Sequence, residues 1–253
     1  MTGDRVRDVV EDLERALQDF ICKHAINHAE YRRAVKTIVG SVKAGEESLL
    51  FDVFLEAVAV EVGNVGQDGS PAAVEGPFYL PSAPKLAAPH RLPQRPDEAG
   101  DVLIFSGRVT DTEGVALADA ELDIWQADAS GLYSNVFPGI PDWNLRGRLA
   151  TAEDGGFEVQ TIVPPPYEIP KNGPTGAVLA AIGRHLYRPA HLHVKVRHLG
   201  HHELTAQLYF RGDRYLDNDI ANAVREGLVI DLVDDPLGRG LAARYDFVLA
   251  TAS

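Results

Sequence analysis

Apolar positions divide the chain into two regimes. Over the first sixty residues they recur at three- and four-residue steps, the spacing of one helix face. Val6, Val9, Val10, Leu13, Leu17, Phe20 and Ile21 predict a first helix. Asn27 followed by Glu30 has the form of a capping box and predicts a second, with Ala34, Ile38 and Val42 on its apolar face. Glu46 to Val62 predicts a third, carrying Leu49, Leu50, Val53, Phe54 and Val60, with Gly63 as its stop. Prolines at 71, 77, 81, 84, 89, 93 and 96 then mark a connecting segment.

After Gly100 the pattern changes to short β-rich runs between turns such as Asp111–Gly114, Asp128–Gly131 and Asp154-Gly155-Gly156. Strands are predicted over Val102–Val109, Glu121–Trp125, Gly147–Ala150, Phe157–Ile162, Ala190–Arg197, Leu204–Phe210, Leu228–Leu232 and Ala243–Leu249. Pro174 to Gly183 reads as one short helix. The expected fold is mainly β: a sandwich or barrel over residues 64–253, preceded by a helical segment over residues 1–63.

Composition narrows the function. The 253 residues suit one large domain, or one domain with a small appendage, and the 45% apolar fraction suits a packed core. A net charge of −13, with no cluster of Lys or Arg, argues against nucleic acid or an anionic membrane as partner. No apolar run approaches the ~18–20 residues of a membrane span. The first fifteen residues are densely charged, unlike a signal peptide. Cys22 is the single cysteine, so no intrachain disulfide forms, and a cytoplasmic location is expected.

The sharpest local chemistry is Arg188-Pro189-Ala190-His191-Leu192-His193. On a strand, residues two apart share a face, so His191 and His193 project together as two ligands to one metal would. Two ordinary half-buried histidines read the same way. Tyr133 follows a predicted strand in Asp128-Ala129-Ser130-Gly131-Leu132-Tyr133, and Tyr167 stands among Pro164, Pro165, Pro166 and Pro170. By themselves these are aromatics packed on their neighbours. His24, His28, His90, His185, His198, His201 and His202 lie in helix or loop contexts and are given no ligand role.

Taken together, these stretches resemble the intradiol ring-cleavage dioxygenases of the catechol and chlorocatechol 1,2-dioxygenase type. The resemblance rests on Gly107 to Gly114, Leu117 and Asp123-Ile124-Trp125 running to Gly131-Leu132-Tyr133. It rests also on Val163-Pro164 with Tyr167 and Gly173-Pro174-Thr175, and on Arg188 to His193 followed by Leu204-Thr205 and Gln207. Glu75-Gly76-Pro77-Phe78-Tyr79 is a weaker fourth match, and Phe105 replaces a usual aliphatic residue.

The resemblance implies a non-haem Fe(III) held by Tyr133, Tyr167, His191 and His193. A hard trivalent ion favours anionic oxygen, which two phenolates supply. It implies cleavage of catechols by dioxygen to cis,cis-muconates, as in the degradation of aromatic compounds, without a nicotinamide. Tyr167 would be the ligand displaced by substrate, Arg188 would stabilise developing negative charge, and Gln207 would orient substrate or oxygen. Leu49, Asp52 and Val53, with Gly76, Pro77, Phe78 and Tyr79, would form the rim that selects the ring. Asp52, a carboxylate beside an apolar face, is the most suggestive of these. The helical segment would form a homodimer, with a phospholipid between the helices as in other members.

The chain length and the Pro166-Tyr167-Glu168-Ile169-Pro170 wording look most like the chlorocatechol subgroup, with hydroxyquinol 1,2-dioxygenases as the alternative. Two readings from other classes compete. A cupin-like metalloprotein would use His191 and His193 with a further His or Glu, Glu203 being nearest. A non-catalytic, prealbumin-like binding module would need no metal.

Overall fold

A computed structural model describes residues 3–252. The chain forms two compact units, Met1–Glu47 and Ser48–Ser253.

The first unit holds helices α1 (Gly3–Lys23) and α2 (His28–Lys43). The predicted capping box is present. Asn27 accepts the backbone N–H groups of Ala29 and Glu30, and the Glu30 carboxylate accepts the N–H of Asn27. The apolar row of α1 is exposed from Val6 to Phe20, and Ile21 is half-buried.

The second unit opens with one helical run: α3 (Glu47–Phe51), a π-turn at Asp52–Glu56, and α4 (Ala57–Asn64). The sequence reading ends the helical segment at residue 63, whereas the units divide between Glu47 and Ser48. Burial explains the difference. Leu49 and Val53 pack with Phe78, Trp125, Tyr133 and Tyr167, and Ala57 packs with Val74, Ala221 and Ala223, so this run belongs to the β unit's interior.

The β unit is a sandwich. One sheet has the order β10-β11-β1-β12, with β4 paired to β1. Its strands are β1 (Val102–Asp111), β4 (Gly156–Ile162), β10 (Val233–Asp234), β11 (Leu241–Arg244) and β12 (Phe247–Leu249). The other has the order β3-β2-β7-β8-β9, from β3 (Arg146–Ala150), β2 (Glu121–Trp125), β7 (His191–Arg197), β8 (Leu204–Phe210) and β9 (Val229–Ile230). Leu103, Phe105, Val159 and Phe247 of the first sheet share one core with Leu122, Ile124, Leu192, Val194 and Leu208 of the second. Phe105 meets Phe157 edge-on, with centroids 5.3 Å apart, so the aromatic at that position is core filling.

The predicted final strand breaks in two. β11 pairs Leu103–Ser106 and β12 pairs Val109–Asp111, so the pairing is interrupted at Tyr245 and Asp246, opposite Gly107 and Arg108, with the register unchanged. The Tyr245 carbonyl crosses so close to Gly107 that a Cβ there would lie 1.8 Å from its oxygen. The Asp246 carboxylate accepts the orphaned N–H of Arg108 at 2.8 Å.

The period-2 rule places the site. On β7, Leu192, Val194 and Val196 face the core between the sheets, so His191, His193 and Lys195 face the other way. The register aligns Trp125 with His193, His193 with Gln207, and His191 with Tyr209. All five residues therefore stand on the sheet's second face. That face is also buried, under the helical run and the loops, and the whole of β7 up to Val196 is covered. Among the described residues no helix is long and apolar enough to cross a membrane.

Candidate active site

Tyr133 and Tyr167 reach this face from two separate loops. Asp128 folds the first into a turn by accepting the N–H groups of Ser130 and Leu132 on its carboxylate. Gly131 completes the turn at φ +81°, and a Cβ there would lie 2.8 Å from Cβ of Tyr167. The residue must be glycine for the loops to close. Behind the turn, buried Arg146 donates to the Ser134 hydroxyl and carbonyl and holds the chain that follows Tyr133. Tyr167, among its prolines, lies on β5 (Tyr167–Glu168), paired with β6 (Tyr187–Arg188), so Tyr167 and Arg188 are register partners.

The four expected ligands converge. Nε2 of His191 and Nε2 of His193 lie 3.1 Å apart, and the Tyr133 hydroxyl is 3.2 Å from Nε2 of His193. The Tyr133 and Tyr167 rings meet edge-on at 5.5 Å, and the Tyr167 ring is 5.6 Å from that of His191. None of the four is more than 7% exposed. Nδ1 of His191 donates to the Pro189 carbonyl at 2.7 Å, which leaves its Nε2 a bare lone pair aimed at the cluster.

The electrostatics favour neutral imidazoles. Burial, then the charge of Arg188, pushes His191 down to about 3. Burial, then His191 and Arg188, holds His193 well below its usual range. Burial and the neighbouring Tyr167 hold the Tyr133 phenol well above its usual range. Burial raises Tyr167 too, against the charge of Arg188. Two neutral imidazoles and two phenols thus share a buried pocket. Only a cation of high charge at their focus would ionise those phenols near neutral pH.

Above the cluster lies a small cavity of about 30 Å³. Its wall includes Leu49, Asp52, Val53, Gly76, Pro77 and Phe78, all expected at the rim, along with Tyr167, Arg188 and His193. Asp52 is pushed up to about 6 by burial and by Glu56. Tyr79 stands apart from the expected rim. Its ring packs on Trp125 and under Nζ of Lys195, and its hydroxyl donates to Asp123 and accepts from Arg197. Gln207 is fully buried beneath the cavity, donating to the Val74 carbonyl at 2.7 Å.

Sequence reasoning missed Glu56, Val74, Ile169 and Ala221 on the wall, and Trp125, Tyr209 and Asp219 behind the site. The alternation of β2 and β8 would have found Trp125 and Tyr209. Glu203, the acidic candidate of the cupin-like reading, pairs with Lys195 and Arg197 and takes no part in the cluster. Among the described residues no group of three or more His, Cys, Asp or Glu could hold a metal ion, so the donor set here depends on tyrosine.

Residues 74–251 match the family model described as Dioxygenase, which spans both tyrosines, both histidines and the whole sandwich. The chain belongs to the intradiol ring-cleavage dioxygenase family. It is 40% identical over 233 residues to a chlorocatechol 1,2-dioxygenase from Rhodococcus opacus, covering 91% of each chain. It is 33% identical to a hydroxyquinol 1,2-dioxygenase from Rhizobium, over 90% of this chain and 79% of that one. The crystal structure of a 3-chlorocatechol 1,2-dioxygenase from Rhodococcus opacus 1CP superposes with a TM-score of 0.94, at 41% identity, over 99% of this chain and 100% of that one. Membership in this family excludes the cupin-like and binding-module readings.

Proposed function

We propose that this intradiol dioxygenase cleaves chlorinated or otherwise substituted catechols between the two hydroxyl-bearing carbons, on a ferric ion held by Tyr133, Tyr167, His191 and His193. One observation carries the reading: two phenols and two neutral imidazoles converge, within 3.1–3.2 Å where His193 meets its neighbours, at the floor of a cavity walled by Leu49, Val53, Pro77 and Phe78. The donor chemistry fits a hard trivalent ion. Two phenolates offset two of its charges and neutral imidazoles add none. Zinc sites more usually take His, Cys and carboxylate. When bound, Fe(III) supplies Lewis acidity that chelates the catecholate and opens its ring to dioxygen.

The chain's own residues supply the rest. Tyr167 stands beside Arg188; as a phenolate it would help hold the metal and would be the base able to accept one substrate proton. Arg188 presents a fixed positive charge to the negative charge that develops on the reacting ring. Gln207, anchored on Val74, presents its amide beneath the substrate. Leu49, Val53, Pro77 and Phe78 exclude water and select the ring substituent. Both dioxygen atoms enter the muconate product, so no reductant is needed.

The stronger match to the chlorocatechol enzyme favours a halogenated ring. Hydroxyquinol is the second reading, favoured by Asp52, a cavity-wall carboxyl that would accept a hydrogen bond from a third ring hydroxyl. The exposed row Val6, Val9, Val10, Leu13, Leu17 and Phe20, each 45–57% exposed, supports a homodimer through the helical unit, with a phospholipid as its further occupant. Light scattering that found a monomer at micromolar concentration would reject that dimer.

The test is oxygen uptake by the iron-loaded protein with catechol, 3- and 4-chlorocatechol and hydroxyquinol, with product mass under ¹⁸O₂. Muconates carrying two labelled atoms, and the highest kcat/KM for a chlorocatechol, are expected. A product carrying a single labelled atom, or no uptake with any of the four, would reject the function.

A further inference from the structure

Arg188 is gripped from behind by a residue that does not line the cavity. Its Nε donates to Oδ1 of Asp219 at 3.0 Å and its Nη2 to Oδ2 at 2.9 Å, a fork-to-fork pair with both side chains buried. Nη2 also donates to Oε1 of Gln207 and to the Tyr209 hydroxyl, each at 3.0 Å, and that hydroxyl donates to Gln207 at 2.6 Å. Asp219 therefore sets the plane of the guanidinium, and through it the hydrogen bonds that hold Gln207.

The same carboxylate folds the chain that follows it. Its oxygens accept the N–H groups of Ala221 and Ala223, and Ala221 is part of the cavity wall, packed with Ala57, Val74 and Ala223. A long arginine side chain has many rotamers. A single bidentate partner on a turn continuous with the cavity wall reduces these to one and ties it to the substrate's position. Burial opposes both charges, but the pair outweighs it: Arg188 rises and Asp219 falls from their usual ranges.

We propose that Asp219 is a positioning residue for ring cleavage: by fixing the guanidinium of Arg188 from the side away from substrate, it aims the arginine, and with it Gln207, at the reacting ring. This inference rests on the proposed activity, so the wild-type protein is first shown to consume oxygen with catechol. Failure there rejects the function, and the proton-exchange readout below still decides whether Asp219 fixes Arg188.

The test variant is Asp219→Asn, which keeps an acceptor for the turn but points an amide at the fork. With iron content and catechol affinity near wild type, kcat is expected to fall about 10- to 100-fold. A second readout needs no turnover. In the iron-free protein, the Nε–H of Arg188 (found by its absence in Arg188→Met) should exchange slowly with solvent in the wild type and at least tenfold faster in Asp219→Asn. The double variant Arg188→Met/Asp219→Asn, which buries no charge, guards against a folding defect. Its kcat should stay within about twofold of Arg188→Met alone, because Asp219 has nothing left to aim. A kcat for Asp219→Asn within twofold of wild type would overturn the proposal. So would a loss of catechol affinity that accounts for the whole effect, an unchanged Nε–H exchange rate, or a further large loss in the double variant.

Discussion

The indole of Trp125 lies stacked on the imidazole of His193, with ring centroids 4.6 Å apart and planes 13° from parallel. The two are register partners on adjacent strands, β2 and β7. His191 is oriented by a hydrogen bond from Nδ1 to Pro189, but Nδ1 of His193 is buried without one. Stacking therefore does for His193 what a hydrogen bond does for His191. Groups that orient a ligating imidazole commonly govern metal retention. Trp125→Leu should release iron about tenfold faster to a chelator than wild type, while Trp125→Phe restores most of the difference. Equal release rates in wild type and Trp125→Leu would remove the indole from this role.

Acid should destabilise the metal-free protein through the same histidines. His191 falls from 6.5 to about 3 in the folded chain, so between those values the unfolded state binds more protons. Stability from this group is complete above pH 6.5 and is lost as pH falls toward 3, and His193 shifts in the same direction. Urea midpoints of the iron-free protein should drop steeply from pH 7 to pH 5. His191→Gln should flatten that slope; an unchanged slope would show that the imidazole is not held neutral by its surroundings.

Arg188→Ala should uncouple two effects. The charge aimed at substrate is lost, so turnover falls by about 10²- to 10³-fold while iron is kept. Asp219 is left buried without its cation, which costs about 3–5 kcal/mol of stability. Adding Asp219→Asn should recover most of that stability and none of the turnover. Thermal melts alongside steady-state rates separate the two, and a double variant no more stable than Arg188→Ala would show that the pair carries little of the fold.

Gly131→Ala tests how the loops close. The substitution forces a Cβ to within 2.8 Å of Cβ of Tyr167 at a φ of +81°. A loss of about 1–3 kcal/mol is expected from the strained backbone alone, together with a shifted tyrosinate band as Tyr167 is displaced. A variant with the wild-type band and melting temperature would mean that the Asp128 turn is loose.

Much of this site was readable from the chain because strands alternate. The two-residue step from His191 to His193 placed both imidazoles on one face, and the same step on β8 puts Gln207 and Tyr209 opposite them. The capping box at Asn27 was readable for the same local reason. Tyr167 was harder. Its strand is two residues long, too short for any period, and its pairing with Arg188 is a long-range fact. Asp219 gave no local signal, since its role depends on an arginine 31 residues earlier in the chain. The boundary near Glu47 was hidden because Leu49 and Val53 repeat with helical spacing whether they cover a helix or a sheet.

The most direct test of the ferric tyrosinate site is the visible absorption spectrum of the iron-loaded protein, before and after catechol is added without oxygen. A broad tyrosinate-to-Fe(III) band that moves to longer wavelength on adding catechol is predicted, altered in both Tyr133→Phe and Tyr167→Phe. A protein that stays colourless after Fe(III) reconstitution, or a band untouched by Tyr167→Phe, would contradict the assignment of these four residues as the metal's ligands.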